Sequence, residues 1–184
     1  MVFARRDRGR ALPDRQSDHR HGADLRLARR SAGALSTMSE TTLVTLAERW
    51  RLLWNGDLAL GREIIADDFV AHAAPMTGSG DDLIRGRTAL EAWISGIHEL
   101  LDELAFTYEL GPITQGNLMA VRWRARGCYR GGFPGSPPEA IGRAVTFTGT
   151  DSLRTEDGCI VEYWGNADSL LFVQQLGVQT MPGY

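Results

Sequence analysis

The sequence predicts an α+β fold with its helices on one face of a β-sheet. Three observations carry this. From residue 38 onward, apolar residues first recur at helical spacing. Four β-rich stretches with turn signals between them follow: LAFTYELGPIT, NLMAVRWRARGCYRG, AIGRAVTFTGTDSLRT and CIVEYW. A short apolar helix, Ser169–Leu176, closes the pattern. Helices followed by strands, rather than alternating with them, imply an antiparallel meander covered on one side.

Each element has its own signal. Ser39 or Thr41 caps a first helix with Leu43, Leu46, Trp50, Leu53 and Trp54 on one side. Asn55-Gly56 ends it, and Asp57 is expected to cap a second helix that buries Leu58, Leu60, Ile64 and Ile65. FVAHAAP (Phe69–Pro75) reads as a short extended piece, and MTGSGDDLIRG as a loop. A third helix, Arg87–Asp102, places Leu90, Ile94, Ile97 and Leu101 on one face with Trp93 beside them.

Alternation assigns the strand faces. In the second β-stretch Met119, Val121, Trp123, Ala125 and Tyr129 face the helices. Arg122, Arg124, Arg126, Cys128 and Arg130 face solvent, or pair with carboxylates on a neighbouring strand or subunit. In the third, Val145, Phe147, Gly149, Asp151 and Leu153 point inward, and Thr146, Thr148, Thr150 and Ser152 outward. Asp151 therefore falls among apolar residues. A buried carboxyl must be paired, hydrogen-bonded or raised in pKa. A raised pKa suits a general acid or base; a structural aspartate satisfied by arginine or backbone amides is the alternative. His72 is either a pocket hydrogen-bond donor or a satisfied core residue, and His98 a surface or core residue of the third helix. Tryptophans 50, 54, 93, 123 and 164 either line an apolar pocket for a flat ring system or fill the core.

Length and charge set the limits. The 184 residues, 43% hydrophobic, suit one domain with a proper core. Residues 1–37 hold nine arginines and four aspartates, a balance of +5, while the remainder carries −8. The first segment lacks apolar periodicity and is expected to be disordered, with the domain spanning 38–184. Met38 as the natural start fits best; a dispensable tail and a working basic arm are the other readings. The acidic domain argues against a nucleic-acid partner. No apolar run approaches the roughly 20 residues of a membrane helix. Two cysteines without a CxxC argue against a disulfide scaffold or a cysteine-built zinc site, and a cytoplasmic location is expected. There is no GxSxG, P-loop, dinucleotide fingerprint or metal cluster, and no metal site is expected.

Several segments, in order, resemble the SnoaL-like polyketide (ester) cyclases of the nuclear transport factor 2-like superfamily. They are WNGD (Trp54–Asp57), DDFVAHAAP (Asp67–Pro75), the opening Gly86–Leu90, and GCYRGGFPGSPP (Gly127–Pro138). Val145–Trp164 and the closing Asp168–Gly177 complete the set, so the resemblance covers about residues 40–177. It implies a cone: a curved mixed β-sheet wrapped around the N-terminal helices, with a deep apolar cavity. It also implies a homodimer packed through the outer sheet face.

The resemblance implies a cofactor-free intramolecular aldol condensation on a polyketide-like carbonyl substrate, driven by an aspartate. The family's aspartate falls opposite Gly165, which cannot move a proton. Two carboxylates remain, Asp151 and Asp168; Asp168 precedes SLLFVQQL and equally suits a helix N-cap. The expected site is therefore Asp151 as acid/base, with Asp168 and His72 as further catalytic groups and Tyr129 or Tyr163 as donors. Trp50, Phe69, Trp93, Trp123 and Phe147 form the substrate pocket. An isomerase or epoxide hydrolase relative and a non-catalytic binding or dimerisation module are the alternatives. The epoxide hydrolase is disfavoured because the arginines of the long central strand have outward parity.

Overall fold

The structure, a computed structural model, describes residues 38–73 and 84–178. The expected extension 1–37 and most of the expected loop 76–86 lie outside the described residues. Helix α1 (Glu40–Trp54) is capped by Ser39, whose hydroxyl accepts from the Thr42 amide. Glu40 in its first turn and Arg51 in its last complement the helix dipole. Its buried stripe is Leu43, Leu46, Ala47, Trp50, Leu53 and Trp54. Asn55 then pins the helix end to the sheet: its side chain accepts from the Phe106 amide (2.6 Å) and donates to the Phe106 carbonyl (3.2 Å).

The expected second helix is shorter than predicted. Leu58–Leu60 forms a 3-10 turn, α2 spans only Gly61–Ile64, and Asp57 makes no side-chain cap bond. Ile65 instead opens strand β1 (Ile65–Ala73), whose pairing overrides the helical spacing. Strand β2 (Ile84–Arg85) pairs with β1, within the segment expected to be a loop. Helix α3 (Arg87–Leu100) stops before Leu101, because Leu101 and Asp102 already pair with Tyr129 and Cys128 as the start of β3 (Leu101–Gln115).

Strands β4 (Leu118–Tyr129), β5 (Ala144–Glu156) and β6 (Cys159–Ala167) complete the expected meander, and α4 (Ser169–Gln175) follows. The sheet order is β2-β1-β6-β5-β4-β3. All neighbours are antiparallel except β1 and β6, so the sheet is mixed. Register shifts in β3 bend the long edge strand. The fold is thus the expected α+β arrangement, a curved open sheet holding helices against its inner face.

The inner parity read from the sequence matches burial. Met119, Val121, Trp123, Ala125 and Tyr129 on β4 are buried, as are Val145, Phe147, Gly149, Asp151 and Leu153 on β5. On the outer face, Arg122 and Arg124 both pair with Glu109 of β3, and Arg130 pairs with Asp102. Two carboxylates of the neighbouring strand thus engage three of the stripe's four arginines.

Candidate active site

A cavity of about 420 Å³ opens between the helices and the inner sheet face. Trp50, Arg51 and Trp54 of α1 form one wall, and Trp93 and Ile97 of α3 another. Phe106, Tyr108, Trp123 and Phe147 line the sheet side, and Phe133 lies at the β4–β5 connection. Asp151, Tyr163 and Gly165 also line the cavity. Arg51 is engaged by Glu48 and by the Phe106 carbonyl.

Asp151 is 3% exposed and accepts three hydrogen bonds. Trp50 Nε1 donates to Oδ2 at 2.8 Å. Trp123 Nε1 donates to Oδ1 at 2.8 Å, and the Tyr163 hydroxyl to the same oxygen at 3.0 Å. A carboxylate oxygen has two lone-pair sites, so Oδ1 is saturated and Oδ2 keeps one acceptor site. Burial pushes the Asp151 carboxyl up from 3.8 to about 6, against the pull of the three donors on its charged form. The Tyr163 phenol is raised well above its ordinary value by burial and by the Asp151 charge, so it remains a neutral donor.

Sheet register explains how these groups meet. Asp151 lies directly across from Val121 on β4 and from Gly165 on β6. Trp123 pairs with Gly149 and Tyr163 with Leu153, so both donors reach the carboxylate diagonally. The Trp123 indole crosses Gly149 so closely that a Cβ there would sit 2.2 Å from Cζ2. Trp50 arrives from the buried stripe of α1.

Of the residues expected at the site, Asp151, Trp50, Trp93, Trp123, Phe147 and Tyr163 share the cavity. Four do not. His72 is turned to the outer face, where β1 pairs it with Trp164. Its Nε2 lies 2.8 Å from Glu162 Oε1 and its ring stacks on Trp164. The neighbours Phe69 and Ala71 take the inward parity, and Phe69 is packed wholly within the core. Tyr129 is buried but its hydroxyl serves the β4–β5 connection, accepting from the Phe133 amide (2.7 Å) and bonding Ser136 Oγ. Asp168 is exposed and caps α4 through Leu171 N.

The expectation passed over Phe106, Tyr108 and Arg51 as wall residues, and left Trp54 open between pocket and core. The alternation Leu104, Phe106, Tyr108 held the signal for two of them. Trp54 Nε1 is the one buried side-chain polar atom among the described residues without a hydrogen-bond partner. Among the described residues no group of three or more His, Cys, Asp or Glu is placed to hold a metal ion.

A curved, open mixed sheet folded over N-terminal helices is the nuclear transport factor 2-like fold. Within it, the chain belongs to the SnoaL-like polyketide cyclase family, whose model matches residues 44–176. The chain is similar to IdmH, a proposed polyketide cyclase of Streptomyces antibioticus. Identity is 28% and the TM-score 0.63, over 73% of this chain and 98% of that one. TsrD of Streptomyces laurentii shares the fold at 20% identity and TM-score 0.65, over 77% of this chain and 98% of that one. AclR of Streptomyces galilaeus, a proposed hydroxylase, does so at 19% and 0.64, over 77% and 89%. No curated protein matches the sequence.

Proposed function

We propose that this chain is a cofactor-independent acid–base enzyme acting on a polyketide-like carbonyl compound held in the aromatic cavity. The observation that carries the reading is Asp151, a buried carboxyl with one open acceptor site on Oδ2, facing that cavity. A carboxyl with a pKa of about 6 is ionised at neutral pH yet more basic than an ordinary aspartate. Oδ2 takes the proton from a methylene activated by flanking carbonyls. The enolate carbon then bonds to a second carbonyl carbon of the same molecule. The alkoxide so formed recovers the proton from Asp151, so substrate and product are isomers and the carboxylate is restored. The apolar walls exclude water and orient the two reacting carbons.

The test is turnover of a panel of aromatic polyketide esters by the parent protein and by Asp151→Asn. Turnover by the parent and its loss in the variant, with ligand binding retained, supports the reading. Unchanged turnover in the variant sinks it. Gly165 favours one other reading, a binding module without catalysis; saturable binding by the parent with no turnover on any panel member would support that instead.

An epoxide hydrolase needing two buried aspartates fits less well, since Asp151 is the one buried aspartate among the described residues. A homodimer through the outer sheet face belongs to the same proposal. Half-buried Thr146, Thr148 and Thr150 and the His72–Trp164 stack support it as a contact surface. Light scattering on the purified protein gives the mass that decides it.

A further inference from the structure

Gly165 is not simply a position lacking a side chain: its space is occupied. A Cβ built on Gly165 would lie 2.1 Å from the Tyr163 hydroxyl oxygen and 2.5 Å from its Cζ. The third nearest atom, at 3.1 Å, also belongs to Tyr163. Such approaches are far inside van der Waals contact, so any side chain at 165 displaces the Tyr163 ring. That ring carries one of the two donors to Asp151 Oδ1.

We infer that Gly165 is a positioning residue: its missing side chain is what lets the Tyr163 hydroxyl reach Asp151 and hold the carboxylate. The register supports this, because Asp151 and Gly165 are direct partners on β5 and β6 with both facing the cavity. Tyr163, two residues back on β6, folds its ring over Gly165 into the gap between the strands' inward positions. Gly149 has the same relation to Trp123, the other Oδ1 donor. The two glycines together let both Oδ1 donors close on the carboxylate, while Oδ2 keeps a single donor.

The other ionisable groups on the cavity wall are engaged elsewhere. Tyr108 donates to the Ala47 carbonyl, and Arg51 bonds to Glu48. A change in the titration of Asp151 on altering residue 165 therefore reports on Tyr163. The role in proton transfer rests on the proposed function, but the positioning does not require turnover.

The experiment follows the indole Nε1–H resonances of Trp50 and Trp123 against pH, without substrate, in the parent, Tyr163→Phe, Gly165→Ala and the double variant. Removing a donor from the ionised form raises the Asp151 midpoint by about 1 unit in Tyr163→Phe. Gly165→Ala is expected to raise it comparably, and to add nothing in the Tyr163→Phe background. A parental midpoint in Gly165→Ala overturns the inference, as does a shift of equal size in both backgrounds. Should Gly165→Ala fail to fold, Tyr163→Ala removes the three nearest atoms. The variant carrying both alanines is then expected to melt no lower than Tyr163→Ala alone; a further drop overturns the inference. Because the titration needs no substrate, its failure is separate from a failure of Asp151→Asn to abolish turnover.

Discussion

Asp151 and Glu162 stand on adjacent strands of one sheet and point from opposite faces. Asp151 meets two indoles and a phenol, none of them charged, in a buried site. Its carboxyl is pushed up to about 6. Glu162 meets the Arg154 guanidinium at 2.7 Å and His72 at 2.8 Å near solvent. Arg154 first, and His72 second, hold its carboxyl below the usual range. Neutral donors in a dry site orient a carboxylate and leave it basic; a guanidinium orients it and removes that basicity. The sheet thus separates a carboxyl suited to proton transfer from one suited to an ion pair.

The largest test of that division is catalytic. Asp151→Asn is expected to lower kcat/KM by roughly 10²- to 10⁴-fold on a substrate the parent turns over, while Glu162→Gln leaves it near the parental value. The same assay run across pH sharpens the point. The acid limb of kcat/KM should have its midpoint near 6, and Glu162→Gln should not move it.

Stability against pH comes next. The Asp151 pKa is higher folded, about 6, than its ordinary 3.8, so its contribution is greatest below pH 3.8 and declines as pH rises through 6. The ionised carboxylate therefore destabilises the fold by about 3 kcal/mol at neutral pH. Denaturant titrations at pH 4 and 7.5 should show this component in the parent and not in Asp151→Asn. Glu162, whose pKa is lowered, acts in the opposite sense: its contribution is present above the usual 4.5 and is lost in acid.

Packing is a smaller lever. Gly149→Ala forces a methyl against the Trp123 indole and the Asn166 carbonyl, and is expected to destabilise by about 1–3 kcal/mol in thermal melts. The smallest effect is on the outer face. Glu162→Gln should change stability by roughly 0–1 kcal/mol, fading in high salt, because the pair and its partners lie near the surface, only half-buried.

The groups expected at the site were unequally legible in the sequence. Strand parity alone put Asp151 inside, since β4 and β5 are long and alternate cleanly. Asp168 before an apolar run was legible as a cap, and it is one. His72 was not, because its face depends on β1 pairing in parallel with β6, a contact between distant segments. The Tyr163–Gly165 packing was hidden for a similar reason: register and the space between strands are tertiary properties. The second helix came out short because its four apolar residues serve three elements: a 3-10 turn, the single turn of α2 and the start of β1.

The Trp50–Asp151 bond has a kinetic consequence. It joins residues 101 apart in sequence, and the His72–Glu162 contact between β1 and β6 joins residues 90 apart. Contacts of such long range form only after large chain loops have closed, and they slow folding. The Trp50 donor is therefore expected to reach Asp151 after Trp123 and Tyr163, which stand only 28 and 12 residues from it. Trp50 and Trp123 both touch that carboxylate, so their fluorescence should change in the slowest refolding phase. A chain with the meander paired but α1 not yet docked would lack one of the three donors to Asp151.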